Sequence, residues 1–358
     1  MLNVSTSFGA DYNKIDKQSE SVPANLKTAK EIAQYLTRNL TTPVEKTRAI
    51  YYWISHNIKY DLKKMKLNRT YTNPQELVND VLQKRQGVCA NYTALFQACC
   101  QSVGIQSFVI EGYVRQNGKL VLNGHAWNAV KIANKFYNID PTWASGFVEG
   151  AKFKQKFSDE YFMISPVVFI KTHMPLDPLW QFSSNPITFK EFDTNNFQKL
   201  EVSSNFNFSD SIKTLSVLSP LEKLQREKQR IKQCGISNSF VKEYIVYLTN
   251  NIDIEEHNLV AGKFNQAVKL FNNSVSAYNK YVFNRKKSNI ITLNNAPILL
   301  DLLDSSRREA ESASRILNEL KTKDLKLSNE ISNLKRAIET EFKNIGVEIQ
   351  LINEYLRK

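Results

Sequence analysis

The sequence has few cysteines and no long apolar run, and both absences narrow the classes of protein that it could encode. Four cysteines among 358 residues are too few for a disulfide scaffold. No Cys-x-x-Cys pair indicates a zinc or redox site. No apolar stretch approaches the roughly 20 residues of a membrane helix, so we expect no transmembrane segment. With 42% hydrophobic and 23% charged residues, the composition is that of a globular chain long enough for two domains.

The N-terminus lacks the basic segment and apolar stretch of a secretory signal. We therefore expect a cytoplasmic protein as the chain is written, or a secreted or periplasmic one if Met1 takes the place of a cleaved leader. The net charge is +13, and the densest basic run is Lys59–Arg69. Because no recognisable module interleaves basic and aromatic residues, we interpret this run as a solvated loop and expect no nucleic-acid partner.

Helix start signals predict that the chain begins with helices. Thr42–Glu45 and Asn73–Glu76 each place a capping residue directly before a proline. The helix that starts at Asn73 should stop near Arg85, where we expect Gly87 to supply the C-terminal turn. A further helix begins at Cys89.

From residue 105 onward the apolar spacing changes from helical to alternating, which predicts strands. The predicted strands are Ile105–Val114, Leu120–Leu122, His125–Ile132 and Phe136–Asp140. A tight connection at Ala133–Asn134 joins the last two. Helices followed by an antiparallel sheet that packs on them make an α+β fold.

After about residue 200 nearly the whole sequence is typical of helix, so we divide the chain into domains at 1–200 and 201–358. Apolar residues recur every three or four positions from Leu327 to Leu356, as in a coiled-coil seam. Asp301–Leu320 carries a second apolar stripe, and a turn near Thr322–Asp324 would fold the two into an antiparallel hairpin. This helical domain is either structural packing or a surface for a protein partner.

Cys89 has a chemical setting that the other cysteines lack, because it follows Gly87 and Val88 and opens a helix. Unpaired N–H groups and the macrodipole at a helix N-terminus favour an anion, so a thiolate there forms below the pKa of roughly 8.5 of free cysteine. The same N–H groups can hold the oxyanion of a tetrahedral intermediate. The alternative is a small buried cysteine at a helix start.

His125 and Asp140 can supply a base and the residue that orients it. If the connection at Ala133–Asn134 is a two-residue turn, Ile132 pairs with Lys135. Asp140 then lies diagonal to His125 on one sheet face, roughly 7–8 Å away at Cα. A turn one residue longer or shorter would place them on opposite faces. A carboxylate on one imidazole nitrogen leaves the other free to take a thiol proton, which is the logic of covalent acyl transfer.

These three residues lie in a pattern that resembles the transglutaminase-like superfamily. The stretches that carry the resemblance are Arg48–Asp61, Gln86–Phe96, His125–Ile132 and Phe136–Trp143. Tyr161–Phe182 further resembles the bacterial branch related to kyphoscoliosis peptidases. Together the resemblance covers roughly residues 20–195.

The resemblance implies a papain-like fold with Cys89 as nucleophile, His125 as base and Asp140 as orienter. It also implies that some neighbours line the substrate groove or the oxyanion position, with simple packing as the alternative: Tyr60, Gln86, Trp127, Asn128 and Trp143. We assign neither His56 nor His173 to catalysis, and we expect no metal and no cofactor.

The expected reaction is cysteine-dependent acyl transfer or amide hydrolysis on protein or peptide substrates through a thioester. Its outcome would be that of a transglutaminase, a deamidase or a protease. The alternative is a non-catalytic transglutaminase-like scaffold whose helical domain binds a partner. The intact Cys-His-Asp set favours the enzyme.

Overall fold

The structure is a computed structural model that describes residues 11–65, 73–198, 207–288 and 290–357. The N-terminal residues on which the leader interpretation rests, and the end of the basic run interpreted as a solvated loop, lie outside these ranges. The chain forms two compact units, Met1–Leu248 and Thr249–Lys358.

The first unit begins with helices and continues into a sheet, as the sequence predicts. Its helices are α1 (Asn13–Ser19), α2 (Ala29–Thr37), α3 (Pro43–Asn57), α4 (Leu62–Met65), α5 (Pro74–Lys84), α6 (Cys89–Ser102), α7 (Pro141–Ser145), α8 (Pro166–Phe169), α9 (Phe189–Asp193), α10 (Phe208–Leu215), α11 (Pro220–Cys234) and the start of α12 (Ser239–Ser288). Its strands are β1 (Lys59–Tyr60), β2 (Gln86–Gly87), β3 (Gln106–Gln116), β4 (Lys119–Ile132), β5 (Lys135–Ile139), β6 (Gly146–Glu149), β7 (Lys152–Gln155) and β8 (His173–Pro175).

Local sequence signals set the ends of the helices that lead to the site. Thr42 caps α3 and Asn73 caps α5, each accepting a backbone N–H three residues along the chain. The sequence suggested Gly87 for the turn after α5, but Arg85 supplies it with a left-handed backbone (φ 52°). Gly87 lies in β2 instead, where an added Cβ would come within 2.6 Å of the Asn91 Cβ. Glycine is therefore needed at this position for close approach rather than for a turn.

The main sheet has four antiparallel strands in the order β5-β4-β3-β8. The β4–β5 hairpin turns at Ala133 and Asn134, which have φ values of 50° and 62°. This two-residue turn pairs Ile132 with Lys135 and confirms the predicted register.

β4 is one continuous strand, whereas the sequence predicts two separate strands in this region. Its first half pairs with the far end of β3, and residues 122–124 bulge opposite Tyr113 alone. The alternation of side chains is interrupted at the bulge, which explains why the sequence pattern breaks there. His125 follows directly after the bulge.

Apolar side chains pack on both faces of the sheet. Val130 and Ile139 belong to the core formed with α2, α3, α5 and α6. Trp127 and Ala129 belong to a second core that also includes Ile212 of α10. A third apolar cluster joins residues of β8, α11 and the start of α12. The packing of this unit thus continues past residue 200, and the division at that residue stays a prediction.

The described residues of the second unit are helical apart from the connections at 290–295 and 320–324, which confirms the predicted helical hairpin or bundle. It contains the rest of α12 together with α13 (Ala296–Glu319) and α14 (Leu325–Leu356). The predicted seam of α14 supplies its buried residues: Leu327, Ile331, Ile338, Ile345 and Ile352. A buried hydrogen bond of 2.9 Å links Ser274 and Ser306. Supercoiling of a true coiled coil stays a prediction. Within the described ranges, no helix combines the length and apolar character needed to cross a membrane.

Candidate active site

Cys89 is the first residue of α6, and its side chain is partly exposed. The buried Asn91 side chain fixes this helix start. Its Oδ1 accepts the N–H of Val88 at 3.1 Å, and its Nδ2 donates to the Leu77 carbonyl at 3.0 Å. Lys64 Nζ donates to the same Oδ1 at 2.7 Å. The first helical turn, whose N–H groups have no acceptor within an α-helix, is therefore held beside the thiol.

Asp140 follows β5 and is the N-cap of α7, with its side chain fully buried. Its Oδ1 accepts the backbone N–H groups of Thr142 and Trp143 at 2.8 and 3.1 Å. Its Oδ2 accepts from Nε2 of His125 at 2.6 Å, and the His125 side chain is only 9% exposed. The contact that the hairpin register predicts is therefore present. With Nε2 engaged by the carboxylate, Nδ1 is the ring nitrogen left to accept a proton.

The electrostatics of the pair favour a charged imidazole. Burial disfavours that form. The charge and hydrogen bond of Asp140, followed by the hydrogen bond and charge of Cys89, nevertheless raise the pKa of His125 to about 10. Burial would raise the pKa of Asp140, but His125 and then His173 hold it well below its usual range. His125 can therefore retain a proton taken from a thiol at neutral pH.

His173 is part of the site, which corrects the prediction from sequence that left it out of catalysis. It lies on β8 and is completely buried, with Nε2 at 3.3 Å from Asp140 Oδ2. Its Nδ1 lies 2.8 Å from the Thr172 hydroxyl. Burial lowers the pKa of His173 to about 4, more than Asp140 raises it. The contact with Asp140 spans 33 residues along the chain and a pairing of β8 with β3, so no local motif could predict it.

His125, Asp140 and His173 also form the one group of potential metal ligands found among the described residues, with ligand atoms within 4.8 Å of one another. Two ligands on one tetrahedral zinc ion, each at roughly 2.0–2.1 Å, would lie roughly 3.3 Å apart. The separation of 2.6 Å between His125 Nε2 and Asp140 Oδ2 is instead that of a charge-assisted hydrogen bond. The arrangement fits proton handling better than metal ligation, and the expectation of no metal stays a prediction.

Three of the other candidate residues lie around this group. Tyr60 is half-buried, and its pKa is raised chiefly by burial and also by the charges of Cys89 and Asp140. Trp127 is 1% exposed with its ring centroid 6.2 Å from that of His125, and its Nε1 has no hydrogen-bond partner among the described residues. The half-buried Trp143 ring lies 5.5 Å from His125. Their roles in substrate or oxyanion binding stay predictions.

Asn128 and Gln86 have different settings. Asn128 is fully buried, and its Nδ2 donates to the carbonyls of Thr93 and Phe108 at 3.1 and 3.2 Å, so it ties α6 and β3 to β4. Gln86 is exposed on β2, where it pairs with Lys59. The contacts of Asn128 are those of a residue that holds elements of the fold together. The Gln86 side chain is exposed three residues before Cys89, and its role in substrate binding stays a prediction.

Residues 30–141, which contain the cysteine, the histidine and the aspartate described above, match the family model of the transglutaminase-like superfamily. The match covers 112 of the 358 residues, so the likeness belongs to this part of the chain. The resemblance predicted from the sequence is thereby confirmed. The narrower assignment to a bacterial branch stays a prediction.

The chain is also similar to individual proteins over part of its length. Kyphoscoliosis peptidase from Homo sapiens is 30% identical over 199 residues, which are 53% of this chain and 29% of that protein. Hillarin from Drosophila melanogaster is 26% identical over 205 residues, or 51% of this chain and 24% of that protein. A solved structure described as a TGase is 17% identical, covers 44% of this chain and 39% of its own, and has a TM-score of 0.26. This chain therefore spans less than a third of the length of these two curated relatives.

Proposed function

We propose that the chain is a cysteine-dependent enzyme that transfers or hydrolyses the acyl group of amides in protein or peptide substrates. The observation that carries the proposal is the buried hydrogen bond between His125 and Asp140. The charge of Cys89 also favours the protonated His125 imidazole. The placement of Cys89 in the first turn of α6 supports the role of nucleophile.

In the proposed reaction, the Cys89 proton passes to His125 Nδ1, and the thiolate attacks the amide carbonyl carbon. The backbone N–H groups of the first α6 turn would hold the resulting oxyanion. Collapse of this intermediate breaks the C–N bond, and the His125 imidazolium gives its proton to the leaving ammonia or amine. A thioester on Cys89 remains. Asp140 stays ionised throughout and stabilises the imidazolium.

The second half of the reaction decides its class. Water activated by His125 would release a carboxylate and complete hydrolysis or deamidation, whereas an amine would form a new amide bond. The family match supports protein or peptide substrates in general. The name of the human relative, kyphoscoliosis peptidase, supports hydrolysis as one outcome.

The alternative proposal is a scaffold in which the C-terminal helices bind a protein partner. Its supporting observation is a row of exposed apolar side chains on α14. Val347, Leu351 and Tyr355 are 58%, 49% and 42% exposed, at intervals of four residues. Such a row covers one helix face and can serve as a contact surface whether or not the first unit is an enzyme.

Alkylation by iodoacetamide across a range of pH tests the nucleophile. Cys234 is a matched control because it is also partly exposed but closes α11, where the macrodipole disfavours an anion. We expect wild type to be alkylated fast at neutral pH, Cys234→Ala to keep this fast reaction, and Cys89→Ala to lose it. Equal reactivity of the two cysteines would contradict the proposed role of Cys89.

Product analysis then identifies the reaction. Dansyl-cadaverine incorporation into a glutamine-rich protein would indicate a transferase, ammonia release alone a deamidase, and new peptide fragments a protease. Cys89→Ala should abolish whichever product forms while leaving the thermal unfolding temperature within a few degrees of wild type. Activity that survives in this variant would refute the assignment, and inactivity of the wild type in all three assays would favour the scaffold.

A further inference from the structure

His173 is a buried titratable side chain that the proposed reaction does not use. It is the second imidazole on Asp140, and its ring centroid lies 5.7 Å from that of His125. Burial of a histidine destabilises the folded state unless its ring nitrogens form hydrogen bonds. The two hydrogen-bond partners of His173 therefore indicate its role.

The two oxygens of Asp140 are held in different ways. Oδ1 accepts two backbone N–H groups in the first turn of α7, so its place is fixed by the main chain. Among the residues that the structure describes, Oδ2 has only side-chain partners, Nε2 of His125 at 2.6 Å and Nε2 of His173 at 3.3 Å. The oxygen that orients the proposed base is therefore shared with a second ring.

The surroundings of His173 fix both the orientation of its ring and its tautomer. The ring stacks on Phe169 with centroids 3.9 Å apart and lies 4.4 Å from the ring of Trp143. The Thr172 hydroxyl lies 2.8 Å from Nδ1 and 3.3 Å from the Phe169 carbonyl oxygen. Donation to the nearer acceptor, Nδ1, leaves the proton of His173 on Nε2, facing the Asp140 carboxylate. A donor in this position favours the ionised carboxylate.

We propose that His173 is a positioning residue which, as the neutral Nε2–H tautomer, donates to Asp140 Oδ2 and shares the carboxylate charge with His125. This inference rests on the proposed function, because it acts through Asp140 on the proposed base. A hydrogen bond to an acceptor lowers the basicity of that acceptor, so His173 limits how strongly Asp140 retains a proton on His125. The imidazolium then gives its proton to the leaving amine more readily.

Other charges near the two rings agree with this role. Burial holds the pKa of His173 at about 4, and the ionisable groups that act on it are Asp140 and His125. The remaining groups that interact with the Asp140 charge are phenols whose pKa is raised chiefly by burial: Tyr51, Tyr60, Tyr92 and Tyr161. At neutral pH only one of the two imidazoles therefore takes the positive charge.

Nitrogen-15 NMR of the histidine rings tests the inference in the full chain, which has only four histidines. A Cys89→Ser background removes the thiol contribution to the pKa of His125, so that the titration of His125 reports on Asp140 and His173. In this background we expect the His173 ring to stay neutral, with the proton on Nε2, from pH 6 to 9. A ring that is charged at pH 7, or that carries its proton on Nδ1, would overturn the proposal even if neither variant at position 173 folds.

Two variants then measure the effect on His125. His173→Phe keeps the aromatic stack but removes the donor, and we expect it to raise the pKa of His125 by about one unit. His173→Gln restores an N–H donor and should return the titration close to the starting value. His257→Phe is the matched control, because this exposed histidine also lies near a carboxylate, that of Asp324 at 3.6 Å. It should leave the His125 titration unchanged.

An unchanged or lowered pKa of His125 in folded His173→Phe would overturn the inference, as would failure of His173→Gln to restore it. With Cys89 present and a substrate in hand, His173→Phe should lower kcat several-fold while leaving KM unchanged. The NMR titrations need no substrate. The titrations can therefore contradict the role of His173 even if the protein is an active enzyme. Conversely, an inactive wild type would contradict the proposed function without changing the titrations. Failure of the inference and failure of the proposed function are thus distinguishable.

Discussion

Asp140→Asn is the substitution that most directly tests the electrostatics of the site. It keeps an oxygen for the backbone N–H groups of Thr142 and Trp143 but removes the negative charge. It also presents an amide N–H₂ to His125 and His173, both of which donate to this position. At least one ring must then change tautomer, and His125 would no longer offer a free Nδ1 to a thiol. By analogy with the serine-protease triad, the expected loss in kcat is about 10³- to 10⁴-fold.

The magnitude of the effect on stability follows from the pKa of His125. Burial alone would lower this pKa, but the charge and hydrogen bond of Asp140 outweigh burial, and the pKa rises from 6.5 to about 10. A rise of roughly 3.5 units corresponds to about 5 kcal/mol of preference for the charged ring in the folded state. Since the folded pKa is raised, that contribution is fully present below pH 6.5 and is lost as the pH rises through about 10.

Urea unfolding at a series of pH values measures this contribution. We expect wild type to exceed Asp140→Asn by several kcal/mol at pH 6, and the difference to shrink steadily toward pH 10. Asp61→Asn is a suitable control, because Asp61 accepts the backbone N–H groups of Lys63 and Lys64 at the start of α4 and pairs with no histidine. A gap between wild type and Asp140→Asn that does not change from pH 6 to pH 10 would refute this account.

Three further predictions concern residues that support the site. Because the pKa of His173 is lowered to about 4 by burial, folding stability should fall by about 3 kcal/mol between pH 6.5 and 4. His173→Phe should lack this loss. The prediction would be contradicted if the free energy of unfolding, measured with urea, fell by the same amount in both proteins over this pH range. Arg48 is 2% exposed and pairs with two carboxylates, so Arg48→Met should cost about 3 kcal/mol, measured by urea midpoints. The same change at exposed Arg38 should have little effect, and equal costs would argue against the buried network. In Gly112→Ala the new Cβ would meet a β8 carbonyl oxygen at 2.1 Å, and we expect a thermal unfolding temperature several degrees lower. Gly262→Ala, with open space around it, should show no such loss.

The features that sequence could predict are those fixed by residues close together in the chain. The capping of α3 by Thr42, the start of α6 at Cys89 and the two-residue turn at Ala133–Asn134 all depend on neighbours within four positions. The turn sets the strand register, and the register places Asp140 beside His125. In this chain, a local signal was enough to predict a contact between two elements.

The features that sequence could not predict depend on contacts far apart in the chain. His173 meets Asp140 only because β8 pairs with the far side of β3, and nothing around His173 signals that pairing. The turn after α5 is formed by Arg85 and not by Gly87 for a similar reason. Gly87 is required because a Cβ at this position would clash with Asn91 on the next helix. The length of β4 depends on its partner strand in the same way.

The aspartate described above serves the fold as well as the imidazole, since one oxygen starts a helix while the other receives a ring N–H. The sulfur has no comparable structural duty. A relative without the proposed cysteine chemistry could lose the Cys89 thiol with little effect on folding stability. Loss of the Asp140 carboxylate would destabilise the fold. We therefore expect catalytically inactive homologues of this chain to carry serine or alanine at position 89 and still to have aspartate at position 140.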